Sequence, residues 1–318
     1  MDAKTLSAMI FKSFLVLIIS LTSVIGNSMV LAVVYRSQRL RTLTNAYIVN
    51  LAISDIFMAT LCMPLTITAL ITVNWSWGDT MCKFQGILGV SLAFISLQTM
   101  TLTAANRYFR IVRPRKYPSI FTKRSTFVMI SVLWVVGLCF GELYVWASGG
   151  EIIYIPNAGT CFPRFVPLVV AVIGFLLPSI LMFLCYFLVY RAVRRHSLTV
   201  TCSLQRGDVR PNCEELNTTK LLFFVMLGFV LCWVPTQVIG MILAKVMDTL
   251  PPEYPWICFT LVYLSCAVNP IIYGVMNARF RREFKKLVSS AKRGVVCTGR
   301  HFRTNPTNQR EELVLQVI

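Results

Sequence analysis

Asp55, Arg107, Cys82 and Cys161 combine chemical capability with unusual settings. Asp55 closes the stretch Asn50-Leu51-Ala52-Ile53-Ser54-Asp55, well inside an apolar run. An ionisable group inside an apolar membrane-type helix costs roughly 2.5–3.5 kcal/mol on insertion scales. Asp55 is therefore either a functional site or a structural polar contact that carries no ion. Arg107 lies in Leu102-Thr103-Ala104-Ala105-Asn106-Arg107-Tyr108, at the end of an apolar run that begins at Cys82 and contains one cation, Lys83, near its start. Its guanidinium is a fixed charge suited to pairing with a carboxylate. Cys82 heads the same run, and Cys161 lies in the longest outer loop. Both fall on the oxidising side, which predicts a Cys82–Cys161 bridge in place of two unpaired thiols.

The elements that position these residues are membrane spans. The chain has 318 residues, of which 56% are hydrophobic and 14% charged, against ~25% charged in an ordinary soluble domain. Apolar runs of bilayer-crossing length fall near 10–34, 44–72, 82–109, 126–147, 165–190, 218–245 and 254–276. These are taken as the first to seventh spans. The first lacks a basic leader and a small-residue cleavage site, and it runs on into Gly26-Asn27, so it reads as a span. The third carries Gly86, Gly89, Ser91, Ser96, Gln98, Thr99 and Thr101 along its length. Small and hydroxyl-bearing residues suit close helix packing, so this span is expected at the centre of a bundle. The fold class is an all-α membrane protein: a seven-transmembrane helix bundle with a short amphipathic eighth helix on the inner leaflet.

The net charge of +18 is not spread evenly. Basic residues concentrate in 36–41, 110–124, 191–220 and 279–310, alternating with poorly charged connections. The positive-inside rule then places the N-terminus outside and the C-terminus in the cytoplasm, as in a multi-pass plasma-membrane protein. The basic surface faces anionic lipid and a cytoplasmic partner, and no nucleic-acid partner is expected. His196 and His301 both fall on the cytoplasmic side, no metal-ligand cluster accompanies them, and the chain does not read as an enzyme.

Prolines punctuate the spans: Pro64, Pro178, Pro235 in Cys232-Trp233-Val234-Pro235, and Pro270 in Asn269-Pro270-Ile271-Ile272-Tyr273. Each should kink its helix and free carbonyls that neighbouring helices or waters must satisfy. Asn27 within the first span likewise needs a partner. Residues 1–9 form a short extracellular N-terminus, and 10–276 the transmembrane domain. The outer loop at about 148–164, with Ile152 and Tyr154 alternating, is expected as a short hairpin held over the bundle by Cys161. In 277–288, Phe280, Phe284 and Leu287 share one face while Arg281, Arg282, Lys285 and Lys286 cover the other, the pattern of an interfacial amphipathic helix. Residues 289–318 are read as a disordered cytoplasmic tail, in which Cys297 is an acylation site or a plain thiol. Asn74-Trp75-Ser76 fits the glycosylation pattern in a very short outer loop.

Taken together, these markers resemble the rhodopsin-like (class A) G-protein-coupled receptors over about 10–288. They are Gly26-Asn27, Leu51 to Asp55, Cys82 with Asn106-Arg107-Tyr108, Trp134, Pro178 with Tyr186, Cys232 to Pro235 and Asn269 to Tyr273. The resemblance implies a sodium pocket of Asp55, Ser96, Ser265 and Asn269, the allosteric ion being the sole cofactor-like group. It implies a packing triad of Leu97, Pro178 and Phe229 beneath the toggle Trp233. Arg107 is the implied switch, restrained by Glu215 and met on activation by Tyr186 and Tyr273. The freed inner cavity would take a heterotrimeric G protein, with arrestin as a further partner. Asn106 stands where the family usually has an acid, and an amide holds a guanidinium less well, so raised basal activity is expected.

The ligand positions implied by the resemblance are Gly89, Val90, Ala93, Phe94, Val170, Gly174, Trp233, Thr236, Gln237, Gly240, Phe259 and Tyr263. Gly89 replaces the aspartate that amine receptors use, and Tyr263 replaces the lysine that holds retinal in opsins. The set suits a small, largely neutral ligand. Asn106-Arg107-Tyr108 and Arg113-Pro114-Arg115-Lys116-Tyr117 are partly like melatonin receptors, whereas Gly174 replaces a histidine those receptors use. A short peptide received by Glu142 and Glu151 is the alternative. A seven-helix transporter is the remote one, because Asp55 stands almost alone at mid-membrane.

Overall fold

The computed structural model describes residues 3–164, 168–203, 223–224, 227–228, 230–233 and 253–301. Among these, six helices are long and apolar enough to cross a membrane: Leu6–Arg36, Leu43–Thr72, Gly78–Val112, Lys123–Ala147, Leu168–Arg194 and Tyr254–Met276. They are the first to fifth and the seventh spans. The sixth is described only within 223–233, where its described residues are helical. The third span is central as expected. About 72% of its apolar stretch is buried, against 33% for the first, fourth and fifth, and it packs on the second, fourth and fifth. Gly141 brings the fourth span close to it, since a Cβ there would lie 2.0 Å from the Ser91 hydroxyl oxygen.

The proline kinks are satisfied by polar side chains from neighbouring spans. Pro270 has no N–H for the carbonyl of Cys266 one turn back, and Asn27 Nδ2 of the first span donates to that oxygen at 2.9 Å. Pro178 likewise leaves the Gly174 carbonyl, which takes Gln98 Nε2 of the third span at 3.3 Å. In the second span a π-helical turn, Met58–Cys62, precedes Pro64. Its i→i+5 register would pair the Ala59 carbonyl with the missing N–H of Pro64, and Ser20 of the first span donates to Ala59 instead at 2.9 Å. A second π turn, Val172–Leu176, precedes Pro178.

The outer loop forms an antiparallel hairpin, β1 (Ile152–Ile155) and β2 (Thr160–Pro163), with Tyr154 opposite Cys161. A disulfide ties Cys161 to Cys82 at the head of the third span.

Boundaries differ from expectation at both ends. The first helix starts at Ala3, so residues 3–9 are part of it. No glycine or proline interrupts this stretch. The ammonium of Lys12, 4% exposed, is compensated by Glu253 at 2.5 Å. The eighth helix runs Ala278–His301, well past 288, because Val288, Ala291 and Val295 continue the apolar spacing of Phe280, Phe284 and Leu287. Cys297 therefore lies within a helix, and only 302–318 of the expected disordered tail remain outside the described residues.

Candidate functional site

The hairpin covers one end of the bundle. Phe162 of β2 meets Tyr144 of the fourth span at 6.1 Å and Phe259 of the seventh at 5.3 Å between ring centroids. Beneath it lies a buried polar network that sequence reasoning missed. Gln85, 2% exposed, accepts the Cys161 N–H at 3.0 Å and donates to the Cys62 carbonyl and the Thr66 hydroxyl, both at 3.0 Å. Thr66 in turn pairs with the Tyr263 hydroxyl at 2.9 Å. One amide thus joins the lid to the second, third and seventh spans. No motif marks Gln85, because its significance lies in three partners distant in sequence.

Gly89 lies on the third span below the hairpin, and a Cβ there would meet no atom of the described residues within 4 Å. Val90, Ala93 and Phe94 on the same helix are buried, and Val170 is half-buried. Phe94 stacks on Phe140 at 4.2 Å, Phe140 meets Phe175 edge-on at 5.8 Å, and Phe175 stacks on Trp233 at 6.1 Å. These rings form a continuous aromatic cluster at the level of Trp233. At Gly174 a Cβ would lie 2.2 Å from the tip of the Phe140 ring, so the missing side chain admits that ring. Thr236, Gln237 and Gly240 lie outside the described residues.

Half-way down, Asp55 is 2% exposed, and Asn269 Nδ2 donates to its carboxylate at 3.0 Å. Among the described residues no cation pairs with Asp55 within ion-pair distance. Ser96 shares a 3.0 Å hydrogen bond with Ser54, next to Asp55 in the chain. Ser265 receives the Trp233 indole N–H at 3.2 Å. These hydrogen bonds join the second span to the seventh through Asp55 and Asn269 and to the third through Ser54 and Ser96, while Ser265 of the seventh holds Trp233. Hydroxyls already engaged as donors retain acceptor lone pairs. An all-oxygen set around an otherwise uncompensated buried carboxylate fits a hard cation.

At the end of the bundle away from the hairpin, Arg107 is 3% exposed. Leu97 is buried, and the Pro178 carbonyl accepts from Thr101, one turn further along the third span, at 3.3 Å. Tyr273 packs its ring 5.7 Å from Phe280 of the eighth helix. Tyr186 is buried against Phe223 at 6.4 Å. The Asn106 amide is engaged by other elements: its oxygen accepts from the Thr44 hydroxyl at 3.0 Å, and its nitrogen donates to the Tyr117 hydroxyl at 3.3 Å. It clamps the second span and the short helix Tyr117–Ile120 of the second inner loop to the third span. Glu215 and Phe229 lie outside the described residues.

Comparison with known proteins matches this arrangement. A family model described as 7 transmembrane receptor (rhodopsin family) aligns with residues 26–273. The melatonin receptor type 1A of Mus musculus is 26% identical over 313 residues, spanning 95% of this chain and 85% of that protein. The melatonin receptor type 1B-B of Danio rerio is 28% identical, over 85% of this chain and 79% of that one. The GQ-coupled rhodopsin of Mizuhopecten yessoensis is 29% identical, over 83% and 56%. In three dimensions the crystal structure of squid rhodopsin superposes with a TM-score of 0.79 at 21% identity, covering 90% of this chain and 87% of that one.

Proposed function

The chain belongs to the rhodopsin family of seven-transmembrane receptors, and from that premise we propose that it binds a small, largely neutral extracellular ligand under its outer hairpin and activates a heterotrimeric G protein. The protein sits in the plasma membrane with its N-terminus outside, and opening of the sixth span transmits the signal. The observation that carries this reading is the hairpin packed over the bundle, where Phe162 meets Tyr144 and Phe259, together with the aromatic cluster that runs from Phe94 to Trp233. A site walled by these rings is apolar with few polar groups, as neutral ligands require. Similarity to melatonin receptors favours an aromatic, weakly polar molecule. The peptide alternative is weakened because its acidic anchors are turned elsewhere. Glu151 pairs with Arg164 at 2.8 Å, and Glu142 is exposed on the outside of the bundle.

A sodium ion at Asp55, Ser96, Ser265 and Asn269 would supply positive charge to the carboxylate and favour the resting arrangement. The chain's own part is to hold those oxygens through the Asn269, Ser54 and Trp233 hydrogen bonds. Arrestin binding is part of the same proposal. Raised basal activity follows from Asn106, which spends its amide on Thr44 and Tyr117 and brings no charge to Arg107. Glu215 then bears the restraint.

The test is second-messenger output without ligand in cells expressing the wild type, Asn106→Asp and Glu215→Ala at equal surface density. Wild-type output above untransfected cells, lowered by Asn106→Asp and raised by Glu215→Ala, is the expected result. Silence of all three across the major second-messenger pathways would remove the poorly restrained switch.

A further inference from the structure

The two hydroxyls of the ion site dispose of their protons differently. Ser265 donates back to the Val262 carbonyl of its own helix at 2.6 Å. That is the local habit of a helical hydroxyl. On the third span Thr99, Thr101 and Thr103 follow it, donating to the carbonyls of Ile95, Leu97 and Thr99 at 2.7, 3.0 and 2.8 Å. Ser96 stands just before them and breaks the habit: its bond crosses to the second span, where its oxygen lies 3.0 Å from that of Ser54. Two hydroxyl oxygens in contact do not by themselves say which one donates, but a second contact settles it. Ser54 Oγ also lies 2.9 Å from the Leu51 carbonyl, which has no proton to give, so the single Ser54 proton is spent there. Ser96 is therefore the donor to Ser54. Both side chains are buried, Ser54 at 0% and Ser96 at 8% exposed, so bulk water does not compete for the pair.

We infer that Ser54 is a positioning residue of the cation site: it takes the Ser96 proton, so that the Ser96 oxygen offers the ion lone pairs alone. A hard cation is held by oxygen lone pairs, and a hydroxyl that serves it must point its proton elsewhere. Ser54 is that elsewhere. Without it, the Ser96 proton has the carbonyl of Leu92, four residues back on its own helix, as the acceptor that its neighbours already use in kind. The rotation that reaches that carbonyl carries the oxygen away from the second span. Ser54 does not touch the ion and acts through Ser96. The inference rests on the reading of Asp55, Ser96, Ser265 and Asn269 as an ion site, and it adds a residue to that site's support.

The test is a sodium chloride titration of the purified full chain, followed by its melting temperature, with choline chloride holding the ionic strength constant. The rise in stability with sodium, fitted to single-site linkage, gives an apparent dissociation constant for each variant, whatever its melting temperature in choline. Expected is a several-fold weaker constant in Ser54→Ala and a wild-type constant in Ser54→Thr, which keeps the hydroxyl. Where Ser54→Ala melts too low to titrate, Ser54→Cys decides: it keeps the volume, replaces the acceptor with a poor one, and should weaken sodium in the same direction. A double-mutant cycle separates this role from a merely structural one. In a Ser96→Ala background, adding Ser54→Ala should leave the constant unchanged, because Ser54 has nothing left to position. A wild-type constant in Ser54→Ala, or a further several-fold loss on adding it to Ser96→Ala, would overturn the role of Ser54 and leave the ion site standing. A sodium effect that is absent from the wild type, or that survives Asp55→Asn, would remove the ion site itself and the role of Ser54 with it.

Discussion

Gly89 and Gly174 have the same composition and opposite surroundings. A methyl at Gly89 meets none of the described residues within 4 Å, while one at Gly174 lands 2.2 Å from Phe140. Replacing a helical glycine with alanine gains up to about 1 kcal/mol of propensity, and overpacking costs roughly 1–3 kcal/mol. Gly89→Ala should therefore melt at or slightly above the wild-type temperature in a detergent thermal-shift assay. Gly174→Ala should melt several degrees lower. Equal behaviour of the two would mean that Phe140 yields freely and that the aromatic cluster is loosely held. Asn106 shows a related lesson. Its type announced a missing acid, but its two partners, Thr44 and Tyr117, come from other elements and make it a clamp.

The hairpin is the element whose placement depends most on a single covalent bond. Cys82–Cys161 closes a loop with a sequence separation of 79 residues, which in the chain-entropy account contributes about 4 kcal/mol. Its loss would also strain the Gln85 hydrogen bond to the Cys161 N–H. In Cys82→Ser/Cys161→Ser, hydrogen–deuterium exchange of 152–163 should accelerate by orders of magnitude, while amides around Thr44 and Asn106 keep wild-type protection. Uniform acceleration through the third span would show that the bridge supports the whole bundle and not the lid alone. The kinked spans follow another logic. Asn27, Ser20 and Gln98 each supply the donor that a neighbouring span's proline removed, so a kink in one helix is written partly in the sequence of another.

At the scale of the molecule, Asp55 and Asn269 join the second span to the seventh. A cation held there and lost on unfolding stabilises the bundle by mass action, about 1.4 kcal/mol at ten times its dissociation constant. The purified receptor should thus melt higher in sodium chloride than in choline chloride at equal ionic strength, and Asp55→Asn should abolish the difference. A sodium increment that survives Asp55→Asn would place the ion elsewhere.

Sequence alone determined the class of protein: apolar length marks the spans, and ordered motifs name the family. It also located the disulfide partners and the hairpin, because each depends on residue type and on position along one element. Only the tertiary structure decided what each polar group spends its hydrogen bonds on. Gln85 became the knot beneath the hairpin, Gly174 a socket for Phe140, and Asn106 a clamp. Those roles depend on partners on other elements of the chain, and a helical period fixes which face a residue occupies without saying what will be packed against it.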